Sequence, residues 1–216
     1  MLYSNIFKMH LLKAVMWFMV AMPIIVLFFQ EHGLTLSEVM MLQGVYSIAV
    51  ALFEIPSGYI ADVFGRKKTI ILSTIFCFIG YLIFSSYSDF YLFVVAEILV
   101  GIGGSLMSGA DSALIYDTLL ESKREESYTK IEGRNYAIGN FSESIAGVLG
   151  GFLAVSSIYV PVYVQTIVLF FSIPIAFSLV EPTINRVDKK NFSFKSIVSI
   201  VNFSIIDNLK LRWLII

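Results

Sequence analysis

The sequence predicts an all-α membrane protein with six transmembrane helices. Three observations carry this. First, 57% of the 216 residues are hydrophobic and only 14% are charged, with a mean hydropathy of +0.82, whereas a soluble domain is about 25% charged. Second, the apolar residues gather into runs of the ~20 residues that a helix needs to cross ~30 Å of hydrocarbon. Third, all fifteen Lys and Arg fall in alternate segments of the chain, before or at the start of the first run and after the second, fourth and sixth. This composition excludes a soluble globular domain, a disordered tail and a nucleic-acid binder. The formal net charge of −1 says nothing about partners. A single cysteine, Cys77, excludes an internal disulfide and a cysteine metal cluster. His10 and His32 are too far apart in sequence to suggest a metal site.

The runs cover about 11–29, 39–61, 69–86, 90–110, 136–155 and 159–180. Each is too long for a ~10-residue barrel strand and lacks strict alternation. A helix also pairs its own backbone polar groups, as lipid demands. The first run opens with Lys8 and Lys13 and could be taken for a secretory signal. Met22-Pro23 and the large residues after it offer no small-x-small cleavage site, so it reads as a retained membrane helix. The loops after the third and fifth runs are very short, which predicts two antiparallel hairpins. Pro182 stops the sixth helix.

Cation placement sets the orientation. Lys8 and Lys13 open the first run, Arg66, Lys67 and Lys68 follow the second, and Lys123, Arg124, Lys130 and Arg134 follow the fourth. The remaining six, from Arg186 to Arg212, follow the sixth. The loops at 31–38, 87–89 and 156–158 carry none. The positive-inside rule places both ends and the basic loops in the cytoplasm of a plasma (cytoplasmic, or cell inner) membrane protein. Residues 1–181 thus form a six-helix domain and 182–208 a polar, basic linker. Within the linker, Phe, Ile and Val alternate with Ser, Lys and Asn, which fits either an amphipathic helix on the inner leaflet or a mixed linker. A new apolar run begins at 209–216 behind Lys210 and Arg212, with Trp213 at an interface position. It reads as the start of a truncated seventh helix, and the sequence as a fragment.

Between the second and third runs stands Gly58-Tyr59-Ile60-Ala61-Asp62-Val63-Phe64-Gly65-Arg66-Lys67-Lys68-Thr69. It resembles the signature loop of the major facilitator superfamily, G-x-(L/I)-A-D-x-x-G-R-(R/K)-x. Gly58 permits close helix approach, Gly65 a tight reversal, and Asp62 has Arg66 four residues on as a partner. The order of six helices, the Glu181-Pro182 end of the sixth and the basic linker extend the resemblance across the chain. It implies the N-terminal half of a twelve-helix secondary transporter, built as two inverted three-helix repeats. The partners are then a small-molecule substrate, a proton or other coupling ion, the lipid bilayer and the missing C-terminal half. It also implies that Asp62 and Arg66 latch the cytoplasmic side of the two halves in the outward-facing state. In some members an acid late in the fourth helix joins that cluster, so Asp111 and Asp117 are candidates beside Gly58, Gly65 and Lys67.

Carboxylates within membrane spans are functional candidates by default. Here these are Glu54, Glu97 and Glu143, with no Lys or Arg expected in the membrane core beside them. An occluded carboxylate favours its neutral form, which suits a proton-coupled step. Glu97-Ile98-Leu99-Val100-Gly101-Ile102-Gly103 resembles the family's fourth-helix pattern R-x-x-x-G-x-G, with Glu where Arg is usual. That Arg is implicated in proton transfer, and the reversal leaves Glu97 as a proton or cation site in its own right. Ala146-Gly147-Val148-Leu149-Gly150-Gly151 keeps only the final glycines of the antiporter pattern G-P-x-x-G-G, so drug export is not implied. Gly101, Ser105 and Gly109, and Gly147 and Gly151, are spaced as packing seams. Tyr46, Tyr116 and Tyr136 are candidates to line a substrate path. No Walker-type loop points to ATP, no cofactor is expected, and no metal cluster or Ser/Lys pair in the spans points to an enzyme. The function expected is a secondary carrier working by alternating access. The alternative is a complete six-helix protein acting as a homodimeric carrier or a scaffold.

Overall fold

The computed structural model describes residues 3–183, so the expected linker and seventh-helix start fall almost wholly outside the described residues. Among the described residues all regular structure is helical: α1 (Tyr3–Met16), α2 (Ile25–Glu31), α3 (Leu36–Phe64), α4 (Arg66–Ser86), α5 (Phe90–Ser108), α6 (Asp111–Glu121), α7 (Tyr128–Ser156) and α8 (Val160–Ser178). Five stretches are long and apolar enough to cross a membrane: α3, α4, α5 with α6, α7 with the turn before it, and α8.

The first expected span is not a continuous helix. After Met16 the chain loosens through residues 17–21, makes a 3-10 turn at Met22–Ile24 and resumes as α2. Pro23, at the start of that turn, has no N–H to donate into an α-helical ladder. The freed groups pair locally: the Met19 N–H bonds the Trp17 carbonyl at 2.9 Å and the Ile24 N–H that of Ala21 at 3.1 Å. Helix α7 comes down on this break, because a Cβ at Gly150 would collide with the Val20 carbonyl.

Starts and stops follow from capping chemistry. Thr35 caps α3 in a capping box, its Oγ1 accepting from the Glu38 N–H while Glu38 accepts from the Thr35 N–H at 2.8 Å. The Asp89 carboxylate accepts from the N–H groups of Tyr91 and Leu92 to start α5. Gly65, between α3 and α4, sits at φ +101°, a conformation L residues avoid. The sixth run ends as a helix just ahead of Pro182. Helix α8 stops at Ser178, and the Asn5 amide takes over both backbone groups of Val180 at 2.8–2.9 Å.

Helix α5 packs tightly against both α3 and α4, and α4 also packs against α8. The first hairpin is close. The second is splayed, since α7 packs on α1 more than on α8. Two apolar clusters hold the bundle. One, at the end of the cation-free loops, gathers Phe28, Phe29, Leu42, Phe84, Phe93 and Val162. The other, at the basic end, gathers Met9, Leu12, Ile70, Leu114, Ile115 and Leu179. The outward faces are apolar too, with Phe141, Phe152 and Val155 exposed, as a lipid-bathed surface requires.

Of the two expected glycine seams, one makes close contact within this chain. Gly101 lies against Ala49 and the Tyr46 carbonyl, Ser105 Oγ donates to the Val50 carbonyl at 3.1 Å, and Gly109 lies against Ser57 and the Gly58 nitrogen. Gly147 and Gly151 have no such neighbour, and neither does a side chain placed at Gly58. The close approaches on α7 fall instead at Gly150 and at Gly139, which faces Trp17. A second α5 seam, toward α4, runs through Gly103, where a Cβ would meet Cys77 Sγ and the Ser73 carbonyl. Gly103→Ala should therefore cost about 1–3 kcal/mol by overpacking. Gly147→Ala should gain roughly 0.5–1 kcal/mol of helix propensity. Melting of the two variants in detergent checks this, and equal shifts would overturn the seam assignment.

Candidate functional site

Between the two apolar clusters lies a cavity of about 470 Å³. On α3, α5 and α8 its lining residues fall in sequence between those of the two clusters. The break after α1 supplies Trp17 and Met19, α3 supplies Gln43 and Tyr46, and α5 supplies Glu97 and Gly104. Glu132 and Tyr136 of α7 and Gln165 of α8 complete the wall. Of the three tyrosines expected along a path, Tyr46 and Tyr136 line it, while Tyr116 stacks edge-on against Tyr128 with centroids 5.4 Å apart.

Glu97 is 6% exposed, faces this cavity and makes no hydrogen bond or ion pair among the described residues. The other two acids considered with it are elsewhere. Glu54 is exposed and accepts from Ser108 Oγ at 3.0 Å. Glu143 is exposed on α7, away from the cavity lining.

The expectation that no cation shares the membrane core fails at Lys13. Its Nζ is 3.0 Å from Asp111 Oδ2, with side chains 13% and 8% exposed. It also lies over the Trp17 ring, 4.7 Å from the centroid. One helical turn separates Lys13 from Trp17, so the alkyl stem can run along the indole. Read as a loop charge in sequence, Lys13 is turned inward because α1 packs into the bundle against α7 and α8. Asp111 is thereby held by Lys13 and by the Ser112 N–H at 2.6 Å, not by the signature loop. Ser112 Oγ in turn donates to Glu132 Oε1 at 2.7 Å. Sequence reasoning missed Glu132, Gln165 and the inward role of Lys13. Their signal was a polar residue at the cavity register of its helix, visible only once the helices are placed.

The signature loop sits at the basic end. Arg66 bridges Asp62, 2.5 Å away on its own turn, and Asp117 of α6, 3.3 Å away. Asp117 and Arg66 are largely buried and Asp62 is about half exposed, so the Asp117 pair is the less screened of the two. Glu181 adds a partner. Its carboxylate accepts from the backbone N–H groups of Arg66 and Lys67, both at 2.8 Å. Helix α4 has no side-chain cap at Gly65, and the carboxylate at its N-terminus supplies one across 115 residues of chain. A Cβ at Gly65 would collide with that carboxylate, a second reason for glycine there.

Removing one partner of a buried ion pair costs more than removing both. Lys13→Ala should destabilise the full-length protein by about 3–5 kcal/mol. The Lys13→Ala/Asp111→Ala double variant should recover most of that, as a double-mutant cycle on melting would read. A double variant no more stable than the single would count against this pairing.

Known proteins frame this arrangement. The family model described as Major Facilitator Superfamily matches residues 9–216. The chain is 29% identical over 164 residues to an uncharacterized transporter of Buchnera aphidicola subsp. Acyrthosiphon pisum, covering 73% of this chain and 40% of that protein. It is 23% identical over 187 residues to an uncharacterized MFS-type transporter of Methanocaldococcus jannaschii, covering 86% and 47%. It is 30% identical over 118 residues to a vacuolar membrane amino acid uptake transporter of Schizosaccharomyces pombe, covering 55% and 20%. The chain thus spans half or less of the length of these relatives. In fold it is similar to the crystal structure of a peptide transporter, POT, in complex with sulfate, with a TM-score of 0.70 at 12% identity, over 99% of this chain and 45% of that one. This multi-pass membrane chain belongs to the Major Facilitator Superfamily and matches the N-terminal half of its transporters.

Proposed function

We propose that the protein is a proton-coupled secondary transporter that moves a small solute by alternating access. The observation that supports it best is the cavity between the two apolar clusters, with Glu97 facing it unpartnered among the described residues. In this reading α1, the break and α2 cross the bilayer as one interrupted span, making six with the five apolar stretches. Broken helices at a binding site are a recurring device of carriers. Residues 1–181 are the N-terminal six-helix domain, made of two inverted three-helix repeats. Residues 182–208 are the linker, and 209–216 begin the seventh helix of the other half. The basic end faces the cytoplasm of a plasma membrane, following the positive-inside rule.

The solute binds near the midplane, and the halves rock around it. Glu97 takes up a proton when the cavity is occluded and gives it up to water when one side opens. At the basic end, Asp62, Arg66 and Asp117 form the latch that holds the two halves together in the outward-facing state. Glu181 stiffens that latch by fixing the start of α4. Arg66 is shared between two carboxylates, so loss of the more exposed Asp62 frees the loop without emptying the buried pair.

Two measurements test this. Asp62→Asn should lower uptake into proteoliposomes by tenfold or more while leaving membrane insertion intact; normal uptake by that variant would remove the latch. Glu97→Gln should flatten the pH dependence of transport. An unchanged pH profile would exclude Glu97 as the coupling group.

A further inference from the structure

We propose that the solute is an organic cation: a protonated amine carried on an apolar or aromatic body. This rests on the transporter reading above and names its substrate class.

The charges of the cavity are lopsided. Three carboxylates, Asp111, Glu132 and Glu97, line it against one cation, Lys13. Lys13 is committed to Asp111 at 3.0 Å. An anionic solute would therefore meet a cation already neutralised, beside a Glu132 carboxylate with no counter-charge. A cationic one would meet the reverse. Glu97 holds the coupling proton in the reading above, which leaves Glu132 for the ammonium.

Glu132 is built to receive a donor. Its Oε1 accepts from Ser112 Oγ at 2.7 Å, and its Oε2 is buried with no hydrogen-bond partner. A buried acceptor left without a donor is costly, more so when charged, and an N–H donor from the solute relieves that cost. A second acceptor points the same way. Gln165 is 1% exposed, lines the cavity, and its Oε1 has no donor. A protonated amine brings up to three N–H donors to such groups.

The rest of the wall suits the body of such a solute. Trp17 and Tyr136 meet edge to face with centroids 6.0 Å apart. The Trp17 face already takes a cation, the Lys13 ammonium. Met16, Met19, Met22 and Met107 also line the cavity, and flexible thioethers pack against varied apolar shapes.

The test uses the full-length protein in lipid nanodiscs and calorimetric titration at neutral pH. Tryptamine, phenethylamine and hexylamine are each compared with the alcohol and the carboxylate on the same body. At least one amine should bind tenfold or more tightly than both of its analogues. Glu132→Gln should weaken that amine at least tenfold. Trp17→Leu should remove any advantage of tryptamine over hexylamine. Where Glu132→Gln does not fold, Glu132→Asp, which keeps the charge but withdraws the carboxylate, is read by the same tenfold criterion. The assignment is overturned if no amine binds, if an alcohol or carboxylate binds as tightly, or if the Glu132 variant stays within twofold. Distances between spin labels placed across the basic end are read in parallel. Labels that open and close without amine binding would sink the substrate class and leave the transporter reading standing. Labels that never interconvert would sink the transporter reading itself.

Discussion

Inside a bilayer, burying a leucine against another helix gains little over leaving it in lipid, because both surroundings are apolar. Helices there must hold together by close backbone approach, dispersion and polar contacts. Most of this architecture depends on how α5 meets that constraint. Gly101, Ser105 and Gly109 let it lie against α3, and Gly103 lets it lie against α4. Ser105 and Ser73 add hydrogen bonds to backbone carbonyls across the two interfaces, at 3.1 and 2.6 Å. With both neighbours drawn in close, one face of α5 is left to carry Glu97 and Gly104 toward the cavity. The small residues thus set the position of Glu97, the one acid among the described residues that is buried without a partner.

The basic end solves a different problem, the open N-terminus of α4. Its first N–H groups need acceptors, and Gly65 has no side chain to offer one. Glu181 arrives from beyond α8 because Asn5 has ended the path of that helix by binding both backbone groups of Val180. Lys8 adds a bond to the Ser178 carbonyl, and Asn5 reaches Thr118 on α6 at 3.2 Å. The start of α1, the end of α8, α6 and the signature loop therefore form one polar unit. A carboxylate at a helix N-terminus is favoured by both hydrogen bonding and the helix dipole. That explains why Arg66 can spend its side chain on Asp62 and Asp117 while its backbone is held elsewhere.

Much of this was legible before any coordinates. Five of the six apolar runs correspond to long helices, because run length and the demand for internal backbone pairing leave few other outcomes. The α5 seam was readable from small residues four apart, and the Arg66 cluster from a loop motif with opposite charges one turn apart. What misled was also local. Met22-Pro23 sat inside an apolar run, and hydropathy is blind to a break in the hydrogen-bond ladder. Gly147 and Gly151 matched the spacing of a seam, but spacing does not say which face of a helix meets a neighbour. Glu143 looked like a core acid from its depth in the run, and its face turns outward.

The sequence by itself determined the class of protein, five of its apolar helical spans and the loop that names the family. These follow from composition and from periods of a few residues, which act along the chain. Only the tertiary structure decided that Lys13 points inward to Asp111, that Glu181 caps α4 and that Glu132 and Gln165 share a cavity with Glu97. Those pairings join residues up to 115 positions apart, and each depends on the rotation of a helix about its axis. Rotation is set by side-chain packing among several helices at once, a property that no single segment carries.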